Sequence, residues 1–125
     1  MGAPIDSPKM SPWSATFMAD ALALAIPTDP VPTEQVTEGH PETGSVPLTE
    51  WDDRDVGVWV MTPGAMTDVE TDEICIIIAG VGVVHRTLNG VRVEQALTPG
   101  AVFQLLEDEE TLWVVSETVR KIYLA

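Results

Sequence analysis

The chain has 125 residues, room for a single core, and its 45% hydrophobic content excludes a fully disordered polymer. Twenty acidic against 6 basic residues give a net charge of -14, which repels nucleic acid phosphates and anionic lipid headgroups, so DNA, RNA and membrane surfaces are set aside as partners. A lone cysteine, Cys75, cannot close an intramolecular disulfide, and no Cys/His zinc spacing is present; a reducing, cytoplasmic setting is the expectation.

Residues 1–12 are small, polar or proline, the composition of a tail. The spacing of Phe17, Met18, Ala21, Leu22 and Ile26 predicts a short amphipathic helix over 14–26, closed by Pro27. Asp20 interrupts its apolar stretch and only Lys9 lies upstream, so it reads as a mature segment rather than a signal sequence. No apolar run approaches the roughly 20 residues of a membrane span. Four prolines and two glycines over 28–47 predict an extended or looped arm that is not a central strand.

Beyond Asp55, short runs rich in Val, Ile, Leu, Trp and Thr alternate with turn signals, the pattern of an antiparallel sandwich or barrel. Strands are predicted over 56–62, 73–79, 81–88, 91–97, 101–106, 111–116 and 119–124. Asn89-Gly90 favours the positive backbone angles of a type I′ hairpin, and Pro63-Gly64 and Pro99-Gly100 mark further turns.

In order along the chain stand Gly57-Val58-Trp59, Pro63-Gly64, Asp72-Glu73, Gly80, Asn89-Gly90, Pro99-Gly100, Trp113 and Glu117-Thr118-Val119-Arg120-Lys121-Ile122-Tyr123, preceded by the arm Val36-Thr37-Glu38-Gly39-His40-Pro41. This set resembles the cupin domain of ureidoglycine aminohydrolase and its single-domain relatives, over about seven-tenths of the chain. The resemblance implies an all-β cupin (double-stranded β-helix or jelly-roll) barrel over 36–125, behind an N-terminal tail and short helix over 1–35. It also implies pairing into homodimers.

The cupin pattern carries two histidines and a glutamate before a glycine, then a further histidine near a proline and glycine. Glu73 and Gly80 match the end of the first motif, but its histidine positions fall on or beside Thr67 and Val69. In the second motif Leu106, Asp108 and Thr111 take the places of proline, glycine and histidine, and an acidic run, 107–110, replaces a small turn. A divalent metal needs three or four converging ligands, and these positions leave Glu73 alone, so no metal and no other cofactor is expected. His40 and His85 lie outside the motifs, His85 as a strand residue facing solvent or a neighbouring strand.

If Glu73 points inward as the resemblance implies, strand alternation puts Cys75 and Ile77 on its face and Ile74, Ile76 and Ile78 on the other, an apolar strand on both sides. The same counting turns Thr111, Trp113 and Val115 inward, with Trp59 and Met61 beside them. The candidate ligand-binding residues are therefore Trp59, Met61, Cys75, Ile77, Thr111, Trp113 and Tyr123, with Glu73 as the candidate catalytic acid or base. The competing reading of Glu73 is an ion pair with Arg120 or Lys121. Three functions follow: a metal-independent cupin acting on a small organic metabolite, a metal-dependent hydrolase of the ureidoglycine aminohydrolase sort, or a non-catalytic binding or scaffold barrel.

Overall fold

The computed structural model describes residues 16–125. Nine strands are present among them: β1 (Asp29–Pro30), β2 (Val36–Glu38), β3 (Glu42–Trp51), β4 (Arg54–Met61), β5 (Gly64–Val69), β6 (Glu73–Leu88), β7 (Val91–Leu97), β8 (Val102–Leu105) and β9 (Glu110–Leu124). All pairings are antiparallel.

The two long strands build the jelly roll. The first half of β9 pairs β5 on one side (Met66 opposite Trp113) and the second half of β6 on the other (Val84 opposite Trp113). Its second half pairs β4 (Trp59 opposite Lys121) and the first half of β6 (Cys75 opposite Tyr123). One sheet therefore runs β1-β3-β4-β9-β6-β8 and the other β2-β5-β9-β6-β7, with β6 and β9 bending from one into the other. The bend falls where the register slips between Ile77 and Gly82. Gly80 sits there at φ 103°, and a Cβ at this position would lie 2.4 Å from the Thr118 carbonyl oxygen, so only glycine fits the corner. The predicted strand pairs 73–79/81–88 and 111–116/119–124 are thus the two halves of β6 and β9.

The Asn89-Gly90 hairpin is present, with both residues at positive φ (51° and 78°), and β7 covers the predicted 91–97. Four strands, β1, β2, β3 and β5, appear where none was predicted. β3 carries Pro47 at a break in its pairing with β4, where a missing N–H does no harm, and outside its short pairing with β1 it is an edge strand. β5 follows the Pro63-Gly64 turn, and β2 pairs β5 from within the arm.

The N-terminal helix needs correction. Of its predicted span, 14–15 lie outside the described residues, and 16–26 form one turn: Asp20 accepts from the Ala23 and Leu24 N–H groups through its carbonyl and from Leu22 N–H through Oδ1. Asp20 starts a helical turn, but Pro27 lacks the N–H that would extend it and disfavours helical angles at Ile26. The segment crosses the outer face of the first sheet, with Pro27 against Gly44 and the Ala21 carbonyl accepting from Arg120 Nη1 at 2.9 Å. No helix of the described residues is long and apolar enough to cross a membrane.

The core between the sheets is built from Met61, Met66, Cys75, Ile77, Val84, Leu97, Leu105, Trp113, Val115 and Val119, all inward-facing. The opposite face of β6 is also apolar, and there Ile74 is left exposed. Near the β6-β7 hairpin the Arg86 guanidinium grips Glu109 through both carboxylate oxygens at 2.5 and 2.8 Å and also bonds Gln95 and the Gln104 carbonyl. Glu109 is thus the one buried member of the acidic run, its other bond coming from Leu106 N–H.

Candidate functional site

A cavity of about 240 Å³ opens between the sheets at the end of the barrel away from Gly80. Its walls come from both: Ser45 from β3, Trp59 from β4, Met66 and Asp68 from β5, Trp113, Lys121 and Tyr123 from β9, with Glu70 and Glu73 from the β5-β6 connection and the first residue of β6. Alternation along the strands selects these side chains. Met66 and Asp68 stand opposite Trp113 and Thr111, and Lys121 stands opposite Trp59.

Four of the predicted site residues meet in the cavity: Trp59, Trp113, Tyr123 and Glu73. Met61, Cys75 and Ile77 face the same interior but are fully buried in the core beneath it. Thr111 is buried behind the wall. His85 lies on the outer face of β6, its Nδ1 3.5 Å from Glu94 on β7, and His40 is exposed in the arm, so neither reaches the cavity.

The electrostatic centre of the cavity is Lys121. Its ammonium lies 2.6 Å from Glu73 Oε2, 4.4 Å from the centroid of the Trp59 ring and 4.9 Å from that of Trp113. The two rings form a wedge, centroids 5.3 Å apart and planes tilted by 54°. Negative ring faces and a carboxylate thus surround one buried cation. Glu73 Oε2 also accepts from Cys75 Sγ at 2.8 Å. Burial pushes the Cys75 thiol far up, beyond what the nearby Lys121 charge offsets, so it behaves as a small core side chain rather than a nucleophile.

Glu70 is the second polar element. Its Oε2 accepts from Thr111 Oγ1 at 2.6 Å and from Trp113 Nε1 at 3.0 Å. Burial pushes its carboxyl up from the ordinary value; the two hydrogen bonds and the Lys121 charge oppose this, and the Asp68 charge adds to it. Every buried side-chain N or O among the described residues has a partner, and Oε1 of Glu70 has none, so Oε1 is accessible.

Sequence reasoning missed Glu70, because it sits in a connection where strand alternation says nothing, and missed Met66, Asp68 and Ser45 with the strands that carry them. Lys121 stood only as one of two possible ion-pair partners of Glu73. The other, Arg120, points to the outer face and bonds the Ala21 carbonyl.

The side chains do not fit a cupin metal. On the cavity side the first-motif histidine positions are Met66 and Asp68, with Thr67 and Val69 turned outward, and the second-motif position is Thr111. Glu73 is occupied by the Lys121 ammonium, and a divalent ion beside it would meet that charge. Among the described residues no three His, Cys, Asp or Glu side chains converge to hold a metal.

Residues 48–123 match the sequence model of the EutQ-like cupin domain. No curated protein sequence matches the chain. A protein with unknown function from Pseudomonas syringae pv. tomato is similar at 24% identity and a TM-score of 0.66, over 84% of this chain and 45% of that one. The EutQ protein of Clostridium difficile is similar at 18% and 0.50, over 67% of this chain and 61% of that one. A protein of unknown function from Vibrio parahaemolyticus is similar at 18% and 0.54, over 81% of this chain and 98% of that one. The chain thus spans about half the length of the Pseudomonas protein and three-fifths of the Clostridium protein. These likenesses concern the fold.

Proposed function

The chain belongs to the EutQ-like cupin domain family, and from that premise we propose that it takes a small organic metabolite into the cavity beneath Trp59 and Trp113 and performs proton transfer on it without a metal. The observation that carries this reading is Glu70: a carboxylate whose proton affinity is raised by burial, fixed by Thr111 and Trp113 through one oxygen, with the other accessible. Such a group can take a proton from a ligand atom within hydrogen-bond reach of Oε1 and return it to another. Glu73, the candidate acid or base of the sequence analysis, is tied to Lys121 and serves instead to hold the ammonium in place. The cavity is small beside the 300–1,000 Å³ of drug-sized sites, which suits a metabolite of few carbon atoms.

A hydrolase of the ureidoglycine aminohydrolase sort is disfavoured because it would need the metal that these side chains do not fit. A pure scaffold is disfavoured because a barrel kept only for its outer surface gains nothing from a void lined by two tryptophans and three carboxyls.

The test is incubation of EDTA-treated protein with a defined mixture of amino acids, amines, small carboxylic acids and alcohols, with the indole N–H signals of Trp59 and Trp113 and the composition of the mixture followed together. Wild type should bind and convert one component, and Glu70→Gln should bind it unchanged. A mixture that leaves both indole signals unmoved would remove the reading.

A further inference from the structure

We infer that the ligand of this cavity carries an amine, held as its ammonium between Asp68 and Glu70. The inference rests on the metabolite-binding reading above and gives it a substrate class.

The ionisable side chains of the wall are three carboxyls, Asp68, Glu70 and Glu73, against one ammonium, Lys121, with the Tyr123 hydroxyl beside them. Lys121 and Glu73 satisfy each other at 2.6 Å. That leaves Asp68 and Glu70, neither of which pairs with a cation among the described residues. Asp68 Oδ1 accepts only the N–H of Val69, at 2.8 Å. Glu70 keeps Oε1 open. The cavity thus offers acceptors and a net negative charge, while its sole cation is already paired with Glu73.

A ligand carboxylate or phosphate would meet two like charges and would have to draw Lys121 away from Glu73, uncovering a buried carboxylate. An ammonium meets the opposite field. It would present its N–H groups to Glu70 Oε1 and Asp68 while its carbon atoms lie along Trp59, the ring of the pair that is only half-buried. Charge, hydrogen-bond polarity and aromatic surface each favour the same ligand chemistry, and the cavity's volume limits it to a short one.

The experiment is a titration of ¹⁵N-labelled wild-type protein with n-butylammonium, n-butanol and butyrate at constant ionic strength, read at the indole N–H signals assigned through Trp59→Phe and Trp113→Phe. These probes share a carbon skeleton and differ in charge. Butylammonium should move both signals and bind at least about tenfold more tightly than butanol, with butyrate weaker still. In Asp68→Asn the preference for butylammonium over butanol should fall toward unity. Equal binding of the amine and the alcohol, or tighter binding of butyrate, would overturn the amine assignment and leave the metabolite site standing. An undiminished preference in Asp68→Asn would also overturn it. Signals that no probe moves would overturn both.

Discussion

The Lys121 ammonium and the Glu73 carboxylate meet at 2.6 Å inside the barrel, roofed by two tryptophan rings, with side chains only 6% and 16% exposed. Water screens such a pair weakly, so removing one partner leaves a stranded charge. Lys121→Met is expected to lose about 3–5 kcal/mol in urea unfolding, and Glu73→Gln a comparable amount. The double variant should lose clearly less than the sum of the two, because no buried charge is left alone.

Trp113 holds Glu70 through its indole N–H, and that bond lowers the carboxyl's pKa against the upward push of burial. Trp113→Phe keeps most of the ring and deletes the donor. The Glu70 carboxyl, followed by ¹³C NMR, should titrate at higher pH in Trp113→Phe than in wild type, and Thr111→Val should shift it in the same direction. A downward move would show that the bonds do not favour the ionised form.

The two shifted carboxyls tilt stability in opposite directions with pH. Glu70 is raised in the fold, so its contribution is fully present below its unfolded pKa and lost as pH rises through the folded value, with Asp68, Glu73, Lys121 and Tyr123 facing it. Burial works against Glu109's charge, but the Arg86 guanidinium and Leu106 N–H outweigh it and hold the carboxyl below the ordinary range. Its contribution is present above its unfolded pKa and lost as pH falls through the folded value. In thermal unfolding across pH, Glu70→Gln should flatten the decline that sets in as pH rises past the unfolded carboxyl's pKa, and Glu109→Gln the decline on the acid side. Glu109→Gln should also lose about 3–5 kcal/mol at neutral pH, since it strands Arg86.

Gly57 lies directly opposite Tyr123, and a Cβ there would come within 2.3 Å of the tyrosine hydroxyl oxygen. Gly57→Ala must therefore push the ring toward the cavity. A loss of about 1–3 kcal/mol is expected in urea unfolding, together with a displaced Tyr123 ring signal.

Strand alternation made much of the barrel legible before any coordinates. With Glu73 inward as the family resemblance implied, it turned Cys75, Ile77, Trp59 and Trp113 inward too, and the Asn89-Gly90 pair fixed the β6-β7 hairpin. What escaped was set by interactions beyond the local pattern. Pro47 hid β3 because its missing N–H matters only if a partner strand needs it, and the break in the β3-β4 register removes that need. β5, with the sequence Gly-Ala-Met-Thr-Asp-Val, lacks the aromatic and β-branched density of a strand and forms because β9 pairs with it. The spacing around Asp20 is helical, but too few residues separate the turn that starts there from Pro27 for it to extend. Glu70 stayed invisible because nothing in its neighbours' sequence says that a connecting loop will fold back onto Thr111 and Trp113.

The most direct measurement is the metal content of the protein, purified without a metal-binding tag, by elemental analysis, with thermal unfolding on adding manganese, zinc, nickel or iron. A site whose carboxylate is already neutralised by the Lys121 ammonium should carry only traces of metal and show no stabilisation. Stoichiometric metal with a clear rise in Tm would contradict it, and would mean that Asp68, Glu70 and Glu73 rearrange away from Lys121 to form a metal site.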